Sequence, residues 1–328
     1  MGNKKKAPIL PKLLNTKIYK TGQTRGADDD VIFQNRVSRA STVLIPFNLF
    51  DTVKTPPDNE EEFESGFICL LSPKEYFETE GIEEKLSAMG LELGINALVF
   101  YQMRSDWELN NPVLLNWQTA NSRSAPLLGK YVARIAATTA DGGEKISRGF
   151  NSTGMKGAGI RLFEYATKKR IDDCRIQLEA IFWLCYDSLE SVCEFSMDIN
   201  EANARKNFCL DKAEKAGLLD YTRLKEVRMI NNEHKTVCPL CLEPLTSYGF
   251  FNRLIQAAGR EVHDLTITEI NLFHIKELRY GEFNHRTYNL GWGHHHCNVV
   301  VKDSGIEETL QWMTGVLNRN IDAGYVEN

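Results

Sequence analysis

The sequence has 328 residues, of which 42% are apolar and 25% charged, a composition typical of a globular protein with two or three domains. No run of 18 or more apolar residues occurs, which argues against a membrane-spanning helix. The basic first residues lack the apolar core of a secretory signal, so we expect a cytoplasmic protein. In a reducing compartment, five scattered cysteines are expected to be buried free thiols: Cys69, Cys174, Cys185, Cys193 and Cys209.

The net charge of −5 hides a strong asymmetry along the chain. Residues 51–110 carry 14 acidic and 4 basic side chains, whereas residues 121–170 carry 10 basic and 3 acidic ones. Residues 1–40 are also basic, with 9 basic against 3 acidic side chains. This distribution suits a protein that places one face on a polyanion. Charges clustered on solvated faces would produce the same pattern.

The first 135 residues predict a basic arm followed by a region of strands. Residues 1–40 are polar and show little periodicity. Short apolar runs, separated by Pro, Gly, Asn and Asp, then predict strands within residues 42–50, 66–71, 96–103, 112–117 and 131–137. Between them, residues 74–90 predict one helix that ends at Gly90.

A basic, glycine-rich segment follows at residues 141–160. Its six glycines predict a loop without helix or strand, in which the backbone could approach a phosphate closely. The segment fits neither a P-loop nor a dinucleotide fingerprint. We expect phosphate contacts of DNA from Lys145, Arg148, Lys156 and Arg161, and a plain surface loop is the alternative.

The central region predicts helices. Apolar residues recur at helical spacing through residues 161–197, which predicts a long amphipathic core helix, with a dimer interface as the alternative: Ile171, Cys174, Leu178, Ile181, Phe182, Cys185 and Leu189. A second helical stretch covers residues 200–230.

A metal site is predicted in the last third of the chain, where all seven histidines lie between positions 234 and 296. Cys238 and Cys241 form a C-x2-C pair, and His294 and Cys297 form an H-x2-C pair some fifty residues later. Two such pairs suit a tetrahedral Zn²⁺ without an open coordination position, which is a structural site. The neighbouring His295 or His296 could replace His294 as a ligand.

The segment around these pairs predicts strand, loop, strand and helix. The first strand covers residues 266–275 and carries His274, and the helix runs from about residue 306 to 317. With "HI" at 274–275, "NL" at 289–290, the two ligand pairs and Asn298, residues 238–317 resemble the zinc-clamped HNH, or ββα-metal, nucleases.

That resemblance assigns roles to three residues. His274 matches the general base that takes a proton from the attacking water. Asn289 matches the asparagine that orients this histidine through its backbone and steadies the loop. Asn298 matches the position that holds a catalytic divalent cation, expected to be Mg²⁺ with Mn²⁺ as the alternative.

One position departs from the family pattern. Many members have an aspartate directly before the base histidine, and this chain has Phe273 there. Some relatives hold the metal through one asparagine together with phosphate and water. Alternatively, Glu269, Asn271 or Glu277 supplies a carboxylate or amide ligand. His285 and His295 are further candidates for an assisting role.

A second nuclease pattern fits the sequence only formally. Pro57-Asp58 followed by Glu83-Glu84-Lys85 formally fits a PD…ExK nuclease. That pattern needs its second part on a strand, whereas the segment here is acidic and helical in character.

The whole chain is expected to be α+β. The predicted parts are a mixed strand and helix DNA-recognition region with its basic arm (1–160), a helical region for the core or for dimerisation (161–232), and the zinc-clamped ββα-metal nuclease domain (233–328). The combination resembles type II restriction endonucleases, and residues 21–39 and 291–298 resemble the BstXI-like group.

This resemblance implies double-stranded DNA as substrate, a homodimer that cuts a palindromic site, and a cognate DNA methyltransferase as functional counterpart. Three alternatives stay open. They are a modification-dependent endonuclease, a homing or mobile-element nuclease, and an inactive zinc-stabilised DNA-binding protein. The phenylalanine before the base histidine favours the last of these.

Overall fold

A computed structural model describes residues 7–24, 37–53, 56, 62–122, 124–137, 143–150, 157–252, 268–279, 281–302 and 304–327. The chain is a mixture of helices and strands, as predicted, and it divides into two compact units. The helical unit comprises Met1–Gly22, Lys168–Arg279 and Asn284–Asn328, and the sheet unit comprises Gln23–Thr167 and Tyr280–Phe283. Within the described part of the chain, every helix is too short or too polar to cross a bilayer.

The sheet unit is built on six strands in the order β7-β6-β5-β4-β3-β8. Strands β3 to β6 and β8 pair in parallel, and β7 pairs antiparallel with β6. The strands of the unit are β1 Gln23–Thr24, β2 Val37–Ser38, β3 Val43–Pro46, β4 Phe67–Leu71, β5 Ala97–Tyr101, β6 Tyr131–Ile135, β7 Ile146–Arg148 and β8 Ile160–Arg161. Its helices are α2 Phe50–Val53, α3 Pro73–Phe77, α4 Ile82–Ala88 and α5 Arg104–Leu109, with short 3-10 turns at Phe47–Leu49 and Leu162–Glu164.

Both faces of this sheet are buried, which explains its continuous apolar strands. Along β5, Val99 and Tyr101 belong to the larger core, whereas Leu98 and Phe100 pack into a smaller core. Because successive residues of a strand point to opposite faces, the two cores lie on the two sides of the sheet.

Three predictions in this unit are wrong. Residues 112–117 form turns instead of a strand, and Leu114 is 81% exposed, because an apolar run forms a strand only where a neighbouring strand pairs with it. Residues 74–90 form two helices, since the chain leaves the helical path at Gly81, whose φ is +65°. The segment 141–160 contains β7, which pairs with β6 although glycines surround it.

The helical unit places a long helix at the centre of its core. Its helices are α1 Lys12–Lys20, α6 Lys168–Trp183, α7 Ser188–Phe195, α8 Ile199–Lys215, α9 Tyr221–Glu226, α10 His295–Val301 and α11 Ile306–Asp322, with a 3-10 turn at Ser247–Phe250. The predicted apolar stripe of α6 is buried within the unit, for example Cys174, Leu178 and Phe182. This confirms the core-helix interpretation, although the predicted single helix over 161–197 is broken before Asp187 (φ +55°).

The C-terminal part of the helical unit begins with an antiparallel hairpin of β9 Ile270–His274 and β10 Leu290–His294. Helix α10 follows β10 directly and packs against both strands. Helix α11 confirms the predicted terminal helix and extends it to Asp322.

Of the five scattered cysteines, all are free thiols, and four of them are buried, as predicted, while Cys193 is half-buried.

Candidate functional site

The two predicted ligand pairs lie together at one end of the hairpin. One ligand atom from each of Cys238, Cys241, His294 and Cys297 lies within 4.8 Å of all the others. The Sγ atom of Cys241 is 3.4 Å from Nδ1 of His294. Cys238 and Cys297 are buried, while Cys241 is exposed to solvent. Residues more than fifty positions apart in sequence therefore form one compact set of sulfur and nitrogen ligands.

Local hydrogen bonds shape the first cysteine pair. The amide of Leu242 donates to the Cys238 carbonyl (2.9 Å), and the Cys238 amide donates to the Glu243 carbonyl (2.9 Å). Leu242 takes a left-handed backbone (φ +63°), which completes this tight turn. The Arg228 guanidinium donates to the carbonyl of Pro239 (2.7 Å) inside the turn. This arginine had no recognisable signal in the sequence.

The second pair uses the junction between β10 and α10. His294 is the last residue of β10, and Cys297 lies in the first turn of α10. Three residues apart at a helix start, the two side chains point to the same side. The predicted choice of His294, rather than His295 or His296, agrees with this cluster.

The donor set fits zinc. Burial, followed by the neighbouring thiols of Cys238 and Cys241, raises the pKa of the Cys297 thiol. Three sulfurs so close together cannot all ionise unless a cation compensates their charge. Three thiolates and one imidazole are the ligands that a tetrahedral structural Zn²⁺ takes, so the residues present fit this ion.

His274 ends β9 and faces Leu290 across the ladder. It is half-buried, and its Nε2 atom lies 3.5 Å from Nδ1 of His285. A half-exposed imidazole at a strand end can reach a substrate while its position stays fixed by the ladder.

Asn289 clamps the segment that joins β9 to β10. Its Oδ1 accepts from the amide of Lys276 (2.7 Å), and its Nδ2 donates to the carbonyls of Lys276 (2.8 Å) and Asn284 (2.7 Å). Its own carbonyl accepts from the amide of Ile275 (2.9 Å), the residue after His274. Only 4% of Asn289 is exposed, so these bonds are shielded from water.

Asn298 lies one residue after Cys297 in α10 and is half-buried. Its carbonyl accepts from the amide of Lys302 (3.1 Å) within the helix. The nearby His295 fixes α10 to the hairpin, since its amide donates to the Glu269 carbonyl (2.7 Å) and its ring lies 2.9 Å from the Asn271 amide nitrogen.

Phe273 is a core residue of the helical unit. It is fully buried, and its ring covers Gly293, where an added Cβ would come within 2.5 Å of the phenylalanine ring. It shares its strand face with Asn271, whose amide contacts His295 of α10. The position directly before His274 therefore holds a packing residue on the face toward α10.

Two of the three other candidate ligands, Asn271 and Glu277, already have partners. Asn271 also donates to the Thr268 carbonyl (3.1 Å). The carboxylate of Glu277, whose side chain is 10% exposed, lies 3.4 Å from Nε of Arg279. Glu269 is half-buried close to the Ser247–Phe250 turn.

The N-terminal helix holds the start of β9. Lys17 of α1 is buried, and its ammonium donates to Oγ1 of Thr268 and to the Ile270 carbonyl (2.6 Å). Burial, with a smaller contribution from the charge of Lys20, lowers the pKa of Lys17 to about 7. No sequence pattern indicates this contact, because the partners are some 250 residues apart.

The predicted DNA-contacting residues lie in the sheet unit. Lys145 and Arg148 are exposed at β7, one edge strand of the sheet, and Arg161 is half-buried on β8, the opposite edge strand. Lys156 lies outside the described residues, as do Pro57 and Asp58 of the rejected nuclease pattern.

Comparison with known proteins decides the family. The family model described as BstXI restriction endonuclease matches residues 16–295, most of the chain. The chain belongs to the BstXI restriction endonuclease family. This confirms the resemblance to the BstXI-like group that residues 21–39 and 291–298 indicated. The segment matched by the BstXI model includes His274 and Asn289 and ends shortly before Cys297 and Asn298.

The other comparisons do not bear on the BstXI assignment. No curated protein matches the chain. A solved structure described as the crystal structure of a type II restriction endonuclease is 17% identical with a TM-score of 0.29, over 48% of this chain. The chain spans 57% of that structure's length, and a TM-score at this level does not establish a shared fold.

Proposed function

We propose that this member of the BstXI family is a sequence-specific type II restriction endonuclease that hydrolyses phosphodiester bonds of double-stranded DNA through an HNH site. One observation carries the proposal. The first strand of a hairpin ends in His274, and Asn289 clamps the following loop. The second strand leads through the Cys/His cluster into the helix with Asn298.

His274 would act as the general base. It accepts a proton from water, whose oxygen attacks phosphorus while the bond to the leaving sugar oxygen breaks. Asn289 keeps the base in place, because it fixes the backbone directly after it.

Two metal ions complete the proposed site. Asn298 would hold a divalent cation, Mg²⁺ with Mn²⁺ as the alternative, which stabilises negative charge on the phosphate and the leaving oxygen. Cys238, Cys241, His294 and Cys297 would hold a Zn²⁺ that fixes β10 and α10 relative to the first cysteine turn. Because Phe273 is a core residue, phosphate and water oxygens would supply the remaining ligands of the catalytic cation.

The sheet unit is proposed to recognise DNA. The predicted basic arm contributes less than expected, because its residues Lys12–Lys20 form α1 and pack into the core of the helical unit. Lys145, Arg148, Lys156 and Arg161 would contact phosphates, and a homodimer would place one HNH site on each strand of a palindromic sequence. A cognate methyltransferase would protect the host's own sites.

The test is digestion of long, unmodified double-stranded DNA by the full chain with Mg²⁺, alongside a reaction with a chelator. Discrete bands that disappear with the chelator support a sequence-specific enzyme, and mapping of the ends gives the site. A smear contradicts sequence specificity. Cleavage of methylated DNA alone would show a modification-dependent enzyme instead.

One observation favours a second candidate, an inactive zinc-stabilised DNA-binding protein. The ring of Phe273 occupies the strand face toward α10, where a metal-binding carboxylate is common in HNH nucleases. Sequence-specific binding without cleavage of any DNA, in Mg²⁺ and in Mn²⁺, would establish this candidate.

A further inference from the structure

An arginine stands at a backbone position where glycine is usual. Arg228 closes α9 and takes a left-handed backbone (φ +62°). Its amide donates to the Lys225 carbonyl (2.9 Å), and the next amide, that of Met229, donates to the Leu224 carbonyl (2.9 Å). This pair of hydrogen bonds is the common glycine-ended helix stop, in which a side chain at the left-handed residue costs free energy. That cost is offset only if the arginine side chain makes contacts of its own.

The contacts of Arg228 go to the first cysteine pair of the candidate zinc cluster. Its guanidinium donates from Nε to the carbonyl of Pro239 (2.7 Å) and from Nη2 to the carbonyl of Leu240 (3.3 Å). Pro239 and Leu240 are the two residues between Cys238 and Cys241. One planar group therefore ties both peptide carbonyls inside the C-x2-C turn, which a glycine at this position could not do.

The C-x2-C turn needs such support. Leu242 also has a left-handed backbone (φ +63°), and its amide reaches back to the Cys238 carbonyl (2.9 Å). A left-handed leucine persists only where the surrounding contacts hold it. The amide of Val237, directly before the turn, donates to the Met229 carbonyl (3.0 Å), so the backbone keeps Arg228 beside the turn.

We infer that Arg228 is a positioning residue for the zinc cluster, because it holds the C-x2-C turn in its ligating shape before the ion binds. This inference rests on the proposed function, in which Cys238, Cys241, His294 and Cys297 hold Zn²⁺. In a preformed site, less of the binding free energy is lost in ordering the ligands, so the ion is held more tightly.

The charge of the guanidinium acts in the same direction. A Zn²⁺ ion with three thiolates and one neutral imidazole carries one net negative charge. Arg228 brings a positive charge to the backbone between two of these thiolates, and a guanidinium keeps its charge at any ordinary pH. The zinc-loaded cluster is therefore stabilised by this cation more than the uncharged thiols are.

Zinc affinity tests the inference and is measured on the full-length protein by competition with a chromophoric chelator. Arg228→Gly removes the side chain and also relieves the backbone, so it should preserve α9 while it weakens zinc binding by about 10- to 100-fold. Arg228→Lys keeps the charge but not the planar fork, so its loss should be smaller. The control His234→Gly removes a side chain at another exposed left-handed residue (φ +57°) and should bind zinc as tightly as the wild type.

Hydrogen exchange in the zinc-free protein gives the second readout. The amides of Cys238 and Leu242, which close the turn, should lose about 10-fold of their protection in Arg228→Gly. The amide of Met229, which reports on the end of α9, should keep its protection. A role confined to ending the helix would give the opposite result, with a change at Met229 and none in the turn.

The inference and the zinc site can fail separately. Equal zinc affinity in the wild type, Arg228→Gly and Arg228→Met would overturn the positioning role, and the methionine variant decides even if the glycine variant does not fold. A wild type that binds no Zn²⁺ would instead contradict the zinc site of the proposed function. The exchange experiment on the zinc-free protein would then still decide whether Arg228 holds the turn.

Discussion

Replacement of Asn289 by alanine tests whether the loop after the candidate base is held by one side chain. The substitution removes three hydrogen bonds, two to Lys276 and one to Asn284. At about 1 kcal/mol each, their loss should destabilise the closed loop by about 3 kcal/mol. Because a factor of ten corresponds to about 1.4 kcal/mol, the loop should open about 100-fold more often.

Hydrogen exchange measures this opening locally, which avoids assuming that two units unfold together. In Asn289→Ala, the amide of Lys276 should lose about 100-fold of its protection, and the amide of Ile275 should follow it. The control Asn318→Ala, at an exposed position of α11, should leave both amides unchanged. Unaltered protection of the Lys276 amide in Asn289→Ala would refute the clamp.

Three further predictions concern the metal cluster and the core. Elemental analysis should find one Zn²⁺ per chain in the wild type and in the control Cys193→Ser, and less zinc in Cys241→Ser. A full zinc content in Cys241→Ser would contradict the ligand assignment. Because the pKa of Lys17 is about 7 when folded and 10.5 when unfolded, the unfolded state binds the extra proton between these values. The free energy of unfolding, compared with that of Lys17→Met, should therefore rise by up to about 1.4 kcal/mol per pH unit from pH 7 to 10.5 and stay constant below pH 7. Chemical denaturation at several pH values measures this difference, and the reverse trend would exclude a buried neutral amine at Lys17. Phe273→Ala should destabilise the helical unit by about 3–5 kcal/mol, whereas Phe208→Ala, at a 48% exposed position, should cost far less; equal effects would show that the ring at 273 is not a core residue.

The elements predicted best are those whose sequence signal has a single physical source. The four central strands of the sheet unit are buried on both faces, so their apolar runs were recognisable without any contact information. Residues 112–117 have the same local composition, yet Leu114 is solvent-exposed, and only the pairing of neighbouring strands separates the two cases. Strand order likewise depends on contacts distant in sequence, which a single sequence does not contain.

In the candidate site, too, local patterns were recognisable in the sequence whereas contacts between distant residues were not. The x2 spacing of Cys238 with Cys241 and of His294 with Cys297 predicted the ligand cluster, because each pair is local and each tight turn aims two side chains at one point. The contact of His285 with His274 depends on how the loop returns across the hairpin. No spacing rule describes that return, so the sequence supported His285 only as one of several histidines.

The most direct test of the central claim compares two matched histidine variants in Mg²⁺-dependent cleavage of unmodified double-stranded DNA. His274→Asn keeps a polar side chain of similar size at the end of β9 but removes the base, and His234→Asn makes the same change at an exposed residue that packs on Tyr221. We expect His274→Asn to slow cleavage by about 10²- to 10⁴-fold with its zinc content intact, and His234→Asn to cut at the wild-type rate. Cleavage by His274→Asn at the wild-type rate would contradict the assignment of the catalytic base and, with it, the HNH mechanism.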